Sequence, residues 1–481
     1  MKKNNVTPTK VLSSAPEWRL RPRERQPFLA LGDMLASGLS LVLALYLWGL
    51  SSDEWLGFSL EFLTLRVPLW FYFLPVIWLA LIIELYDIHR ASKLIDTARG
   101  IALSALLGLG LYMVIYFTSP PNSLPRGGVA YFLVSVSVLT LGWRMLYIRV
   151  FTTPAFMRRV LVVGAGKAGK TLLQMYKEMQ PPPFLILGAI DDDPEKIGTD
   201  IEGYRVLGGA ETLPRLVQEQ NITDLIVCIS DEMGGRMFQT LLDLQEKGLE
   251  IVRMQTVYEE LLGRVPIFHL EADWILRNLI ETSRINVFYL LAKRLIDLAV
   301  GLMGLALLMV IFPFVALANL LESGRPIFYT QTRSGMGDHP YELIKFRTMR
   351  QDAEKDGVPQ WTAKNDQRVT RVGRVLRKTH LDELPQCLNI LRGEMSIVGP
   401  RPERPELIAM FQKNVPFYRA RLLVKPGLTG WAQVHQDYAA NVDETNLKLE
   451  YDLYYIKHRS LFLDLIIILR TPATVLGLRG R

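Results

Sequence analysis

The sequence predicts three parts in a row: a membrane α-helical bundle, an α/β domain of Rossmann-like pattern, and a second α/β domain held to the membrane by a re-entrant helix. Three observations carry that expectation. Four apolar runs, 28–50, 67–86, 101–117 and 129–150, each have about the length that crosses a bilayer as a helix. A strand running into closely spaced glycines follows at Arg159. A fifth apolar stretch, 295–321, contains Pro313 and leads into a region crowded with arginine. The 481 residues are 49% hydrophobic and 21% charged, the mixture expected of membrane segments joined to globular parts. A net charge of +7 suits anionic lipid or phosphorylated substrates. It would also suit nucleic acid, but no aromatic-interleaved platform or helix-turn-helix pattern occurs, so none is expected as a partner. Cys228 and Cys387 lie far apart without metal-ligand spacing, which argues against a disulfide framework or structural zinc and fits a reducing cytosolic face. Residues 1–26 are polar and basic and do not read as a cleavable signal.

The first part, 1–157, takes its orientation from its loops. Arg19, Arg21, Arg23 and Arg25 precede the first run, and Asp53, Glu54 and Glu61 follow it with a lone Arg66. Arg90, Lys93 and Arg99 follow the second run, Arg126 the third, and Arg149, Arg158 and Arg159 the fourth. Basic residues alternate between loops, which places the N-terminus and everything after residue 150 in the cytoplasm. Asp33 and Glu84 sit near the ends of their runs, where a charge costs less than at the centre. The fifth stretch has basic residues on both flanks, Lys293-Arg294 before it and Arg325 and Arg333 after it. A helical hairpin that enters the bilayer and returns at Pro313 keeps both flanks on one side; a plain crossing would not.

The middle domain with its linker is assigned to 158–280. An apolar strand from Arg159 runs into Gly164-x-Gly166-x-x-Gly169, and a second strand ends at Asp191-Asp192-Asp193, where a ribose-binding acid would sit in a dinucleotide fold. Gly164, Gly166, Gly169 and Asp191 are therefore candidate nucleotide-binding residues, although such glycines also serve turns and packing. This pattern supports one rival reading, a membrane-anchored NAD-dependent nucleotide-sugar dehydratase or epimerase. Tyr289 and Lys293 have the Tyr-x-x-x-Lys spacing such enzymes need. They fall at the mouth of the fifth apolar stretch, however, where they read as interfacial anchors, and that reading leaves 322–481 unexplained.

The third domain, 281–481, contains the adjacent carboxylates Asp382 and Glu383. Arg368, Arg371, Arg374, Arg377 and Lys378 precede them, and Arg392, Arg401 and Arg404 follow. Acids ringed by cations suit a site that handles phosphates, with arginines holding substrate while a carboxylate attacks phosphorus or binds a metal. Pro385 suits the first turn of a helix through 386–391, so the helix dipole and the arginines should keep the acids ionised.

Several segments occur in order here. They include Gln331-Thr332-Arg333-Ser334-Gly335, Lys345-Phe346-Arg347-Thr348-Met349, Asn365-Asp366-Gln367-Arg368, Leu381-Asp382-Glu383-Leu384-Pro385-Gln386, Gly399-Pro400-Arg401-Pro402 and Lys425-Pro426-Gly427-Leu428-Thr429-Gly430-Trp431. Together they closely resemble the bacterial sugar transferase family, the polyprenyl-phosphate hexose-1-phosphate transferases. The four spans and the Rossmann-like domain look like its long-form members. The resemblance implies transfer of a sugar-1-phosphate from a UDP-hexose to undecaprenyl phosphate with release of UMP, starting exopolysaccharide, capsule or O-antigen synthesis. It implies a bacterial inner-membrane enzyme with its catalytic domain on the cytoplasmic face, and it leaves room for a homo-oligomer. It also implies that Asp382 is the nucleophile of a covalent phosphosugar intermediate, and that Mg²⁺ takes part with Asp382 and Glu383 as its candidate ligands; Glu383 is expected either to help hold the ion or to assist proton and charge handling. Arg401, between Pro400 and Pro402, is then the expected phosphate clamp, with Lys345, Arg347 and Arg377 binding the diphosphate or the lipid phosphate. Finally, the short apolar run 461–469 carries Asp464 and is expected as an amphipathic helix on the inner leaflet, with a subunit-packing helix as the alternative.

Overall fold

The computed structural model describes residues 22–51, 57–86, 91–118, 125–151, 157–230, 233–270, 272–280, 287–350, 368–436 and 442–475. Arg19, Arg21, Asp53, Glu54, Arg90 and residues 365–367, all used in the sequence reading, lie outside them. The chain forms two compact units that divide between Leu262 and Gly263.

In the first unit, α1 (Pro22–Ser51), α3 (Leu94–Thr118) and α4 (Arg126–Phe151) are long and apolar enough to cross a membrane. The second expected span is different. It is a 3-10 turn Leu69–Phe73, a short α2 (Leu74–Leu81) and a second 3-10 turn Ile83–Tyr86. Pro75 lacks the N–H that would bond the Phe71 carbonyl and sits in the first turn of α2, where that missing donor costs least. Carbonyls left open by the breaks find side chains: Ser104 Oγ donates to Leu81 O (3.1 Å) and Arg144 Nη1 to Leu85 O (2.8 Å). Asp33 does not sit in a solvated end. Its carboxylate is wholly buried and accepts from Arg144 Nη2 at 2.7 Å and Nε at 3.3 Å. This forked pair fastens α1 to α4.

The same unit continues into a parallel sheet of order β2-β1-β5-β6, formed by β1 (Arg159–Val163), β2 (Leu185–Ile190), β5 (Asp224–Val227) and β6 (Glu250–Arg253). A small hairpin, β3 (Asp200–Ile201) and β4 (Tyr204–Arg205), precedes Val206, which bridges in parallel to Ala189 on the free side of β2. Helices α5 (Lys167–Glu178), α6 (Leu213–Glu219), α7 (Gly235–Glu246) and α8 (Met254–Leu262) complete the layers. Gly164 has φ +105°, and a Cβ on Gly169 would lie 2.1 Å from the Gly164 carbonyl, so both glycines are demanded by the turn. Asp191 is already engaged. Its Oδ2 accepts from Ala165 N at 2.7 Å and its Oδ1 from Asp193 N at 3.0 Å, while Lys196 Nζ lies 3.4 Å from Oδ2.

The second unit begins earlier than the sequence boundary at 280. Val265, Ile267 and Leu279 belong to its core, and Trp431 Nε1 donates to Gly263 O at 2.7 Å. Its longest element is α9 (Val287–Ser323), a single 37-residue helix with Pro313 inside. The expected hairpin turn at Pro313 is not seen as a break; Leu308, Phe312 and Val315 pack around it onto Phe346, Leu376 and Cys387. One face of α9 is thereby bound to its own domain, while Leu295, Leu302, Met303, Val310, Phe314 and Leu321 stay exposed along the other. Both ends are fastened to this unit: Lys293 pairs with Asp464 at 2.9 Å, and Glu322 accepts from Arg371 N and Val372 N at 2.6 and 2.8 Å.

The remaining elements are the antiparallel pair β7 (Phe328–Ser334) and β8 (Pro340–Phe346), α10 (Arg371–Lys378), α11 (Cys387–Arg392), β9 (Ser396–Val398), α12 (Pro405–Phe411), β10 (Gly427–Thr429), α13 (Trp431–His435), α14 (Val442–His458) and α15 (Leu461–Val475). β9 and β10 pair in parallel. In α15, Leu463, Asp464 and Ile467 face the core and Phe462 and Leu465 face outward. The expected surface helix is thus a packed one with its acid on the buried side.

Candidate active site

The Asp-Glu pair is presented by a tight turn. α10 ends at Lys378, His380 takes a left-handed φ of +55°, and a 3-10 turn Leu381–Gln386 leads into α11. Residues three apart share a face of such a turn. Leu381 and Leu384 pack into the cluster around Phe346 and Leu376, so Asp382 and Glu383 are carried away from it, each in its own direction.

Glu383 is held by two cations. Its Oε1 accepts from Lys345 Nζ at 2.6 Å and from Arg401 Nη2 at 2.9 Å. Burial alone would raise its pKa, but Arg401 and Lys345 more than reverse this and hold the carboxyl well below the usual carboxylate range. Asp382 differs. Among the described residues none donates a hydrogen bond to its carboxylate. Its pKa is raised, first by burial and second by the charge of Glu383, against the pull of Lys345, Arg377 and His380. At Asp382 burial and the charge of Glu383 thus outweigh the nearby cations, because Glu383 takes up Lys345 and Arg401.

Arg401 is fixed by the backbone around it. Gly427 N donates to Pro400 O (2.8 Å), Arg421 Nη2 to Arg401 O (2.9 Å) and Arg333 Nη1 to Pro402 O (3.1 Å), so every carbonyl of the Pro-Arg-Pro turn is tied. Gly399 is required because a Cβ there would meet Lys425 O at 2.3 Å. Beneath the turn, Glu403 accepts from Lys448 (2.5 Å) and lies 3.4 Å from Arg421, which also binds Asp452 at 3.0 Å. Burial opposes ionisation of Glu403, yet Lys448 and Arg421 lower its pKa to about 2. Arg377 contributes Nε to Thr348 Oγ1 at 2.9 Å and approaches Asp382 electrostatically.

Arg347 does not join this group. Its guanidinium turns to the end of α9, donating to Ser323 O (2.9 Å), Ser323 Oγ (3.0 Å), Arg325 O (3.0 Å) and Gly324 O. A cation on the last carbonyls of a helix caps it and is spent there. The structure thus brings together Asp382, Glu383, Lys345, Arg377, Pro400, Arg401 and Pro402, and leaves Arg347 as a helix cap.

Comparison with known proteins gives two family matches. Residues 288–477 match the model of the bacterial sugar transferase family, and residues 81–254 match a model described as a CoA-binding domain. A UDP-glucose:undecaprenyl-phosphate glucose-1-phosphate transferase of Caulobacter vibrioides is 41% identical over 188 residues, 39% of this chain and 70% of that one. The chain belongs to the bacterial sugar transferase family.

Longer relatives match over part of their length. A UDP-N-acetylgalactosamine-undecaprenyl-phosphate N-acetylgalactosaminephosphotransferase of Aeromonas hydrophila is 37% identical over 51% of this chain and 57% of its own. A UDP-glucose:undecaprenyl-phosphate glucose-1-phosphate transferase of Xanthomonas campestris is 37% identical over 45% of this chain and 44% of its own. The chain thus spans about half the length of these two relatives. Within this domain, the sequence reading missed Arg421, Lys448 and Asp452. They are scattered charges in apolar surroundings, and only the pattern of a buried cation beside buried acids could have flagged them.

Proposed function

We propose that this transferase moves a hexose-1-phosphate from a UDP-hexose to undecaprenyl phosphate. An Asp382 carboxylate oxygen attacks the β-phosphorus; the bond from that phosphorus to the bridging oxygen breaks, and UMP leaves with the electron pair. A phosphate oxygen of undecaprenyl phosphate then attacks the same phosphorus and releases Asp382, giving the diphosphate-linked sugar that starts a polysaccharide. The observation that carries this reading is the division of labour within the pair. Glu383 takes up Lys345 and Arg401 and fixes them, while Asp382, to which no described residue donates a hydrogen bond, keeps its oxygens for phosphorus. The raised pKa of Asp382 also makes its carboxylate more basic than an ordinary aspartate's, which favours attack.

Mg²⁺ fits this site only in part. Among the described residues no three acids or histidines cluster as a metal site, and Glu383 Oε1 already faces two cations. Asp382, with diphosphate oxygens and water, would be the protein ligand. When bound, the ion would neutralise charge on the diphosphate. Lys345, Arg377 and Arg401 orient the substrate phosphates whether or not it is there.

The exposed apolar face of α9 supports insertion of that helix into the cytoplasmic leaflet of the bacterial inner membrane without crossing it, since both of its ends are tied to the same unit. Phe462 and Leu465 of α15 add apolar surface. The glycine turn of the first unit supports reading that domain as a nucleotide site, with Asp191 bracing the turn through Ala165 N. The test is UMP release by the full chain in nanodiscs containing undecaprenyl phosphate, across a panel of UDP-sugars, with mass spectrometry for a phosphosugar on Asp382. Reduction or oxidation of NAD with a UDP-sugar and no UMP would defeat the proposal.

A further inference from the structure

The two halves of the candidate site come from distant segments, Asp382 from the turn before α11 and Arg401 from the turn after β9. Both α11 and β9 are gripped by the first turns of α9. Arg294 donates from Nη1 to Ile390 O and from Nη2 to Leu391 O, both at 2.8 Å, capping α11. Asp297 Oδ1 accepts from Ser396 Oγ at 2.9 Å and from Ile397 N at 2.8 Å, holding β9 along its edge. Lys293 Nζ donates to Val398 O at 3.0 Å, the last strand residue before Gly399-Pro400-Arg401.

Lys293 is itself oriented by a closed set of partners. Its other two protons go to Tyr455 Oη at 3.1 Å and Asp464 Oδ2 at 2.9 Å. Asp464 Oδ1 accepts from Tyr455 Oη at 2.8 Å, and its Oδ2 also accepts from Tyr289 Oη at 3.1 Å. The polar atoms of Tyr289 and Lys293 thus meet a buried acid from α15. An ammonium with three protons and three acceptors has one orientation, and its third acceptor is the strand that leads to Arg401.

We propose that Lys293, oriented by Asp464 and Tyr455, is a positioning residue that sets Arg401 relative to Asp382, so that the head of α9 fixes the geometry of phosphoryl transfer. This rests on the function proposed above. Displacing a clamp by about an ångström costs roughly a hundredfold in rate, whereas loosening the fold alone lowers the amount of active protein without changing its turnover.

The test uses the full chain in nanodiscs. Lys293→Met combined with Asp464→Leu removes both charges, so neither is left orphaned. Lys293→Arg keeps a donor for Val398 O. The double variant should lower kcat for UMP release at least tenfold, with KM for the UDP-sugar within threefold and a parent-like melting curve. Lys293→Arg should recover most of that loss. Hydrogen exchange at Gly399 and Arg401 should be faster in the double variant, a readout that needs no activity. A parent enzyme that releases no UMP would sink the proposed function and leave the exchange arm to judge this inference. Unchanged exchange at 399–401, or an active parent matched within twofold by the double variant, would overturn it.

Discussion

Asp382→Asn and Glu383→Gln should have opposite consequences, although the residues are neighbours and both changes remove one charge. Glu383 Oε1 accepts from Lys345 at 2.6 Å and Arg401 at 2.9 Å. The two cations are therefore within a few ångströms of each other, where their repulsion is about 4 kcal/mol at an effective dielectric near 20. Removing the acid that balances them should cost about 3–5 kcal/mol, as for other buried pairs that lose a partner. In a unit the size of Gly263–Arg481 each kcal/mol shifts Tm by roughly 2–4 °C, so Glu383→Gln should melt roughly 6 °C or more below the parent. Asp382 has the other sign. Its pKa is raised in the folded protein, so at neutral pH the ionised carboxylate opposes folding, and the opposition disappears in the asparagine variant. Asp382→Asn should melt at or above the parent temperature while losing UMP release and any covalent phosphosugar. The assay is a thermal melt of the purified protein beside UMP release. An Asp382→Asn protein that melts as low as Glu383→Gln, or that still turns over, refutes the division of roles.

Other expectations follow from the same contacts. Arg347→Met removes the cap on α9 and should lower Tm by about 2 kcal/mol worth of stability, with KM for UDP-sugar unchanged in the folded fraction; a large rise in KM would restore Arg347 to the substrate site. Glu403 titrates near 2 instead of near 4.5, so the stability it adds is complete above about pH 4.5 and fades as pH falls toward 2. That loss is about 3 kcal/mol, and a Glu403→Gln variant should show a flatter acid limb in pH-dependent melts. Deletion of 1–262 should leave a foldable transferase unit, whereas deletion of 1–280 removes Val265, Ile267 and Leu279 from its core and should give aggregated or poorly melting protein; equal stability of both truncations would contradict the boundary at Gly263.

Much of the site was legible in the chain because its chemistry is local. Asp382 and Glu383 are adjacent, Pro400-Arg401-Pro402 is a self-contained turn, and both kinds of pattern survive in a linear reading. Arg347 was misread for the same reason: two residues from Lys345, it shares the composition of the site but not its direction. Asp33 was read as tolerable near a helix end, whereas its partner Arg144 lies on another helix and no spacing rule links them. The second apolar run was long enough to span, and its division into two 3-10 turns and a short helix is visible only in the structure.

By itself, the sequence determined the division into apolar and α/β parts, the family and the clustering of acids with cations around Asp382 and Glu383. Periodicity, composition and short motifs depend on neighbours a few residues apart. The tertiary structure alone decided which acid pairs with Lys345 and Arg401, which arginine caps α9, and what the head of α9 holds. Those outcomes depend on which carbonyls and carboxylates come within about 3 Å of a given cation, and for Lys293 these come from Val398, Tyr455 and Asp464, a hundred or more residues away in the chain.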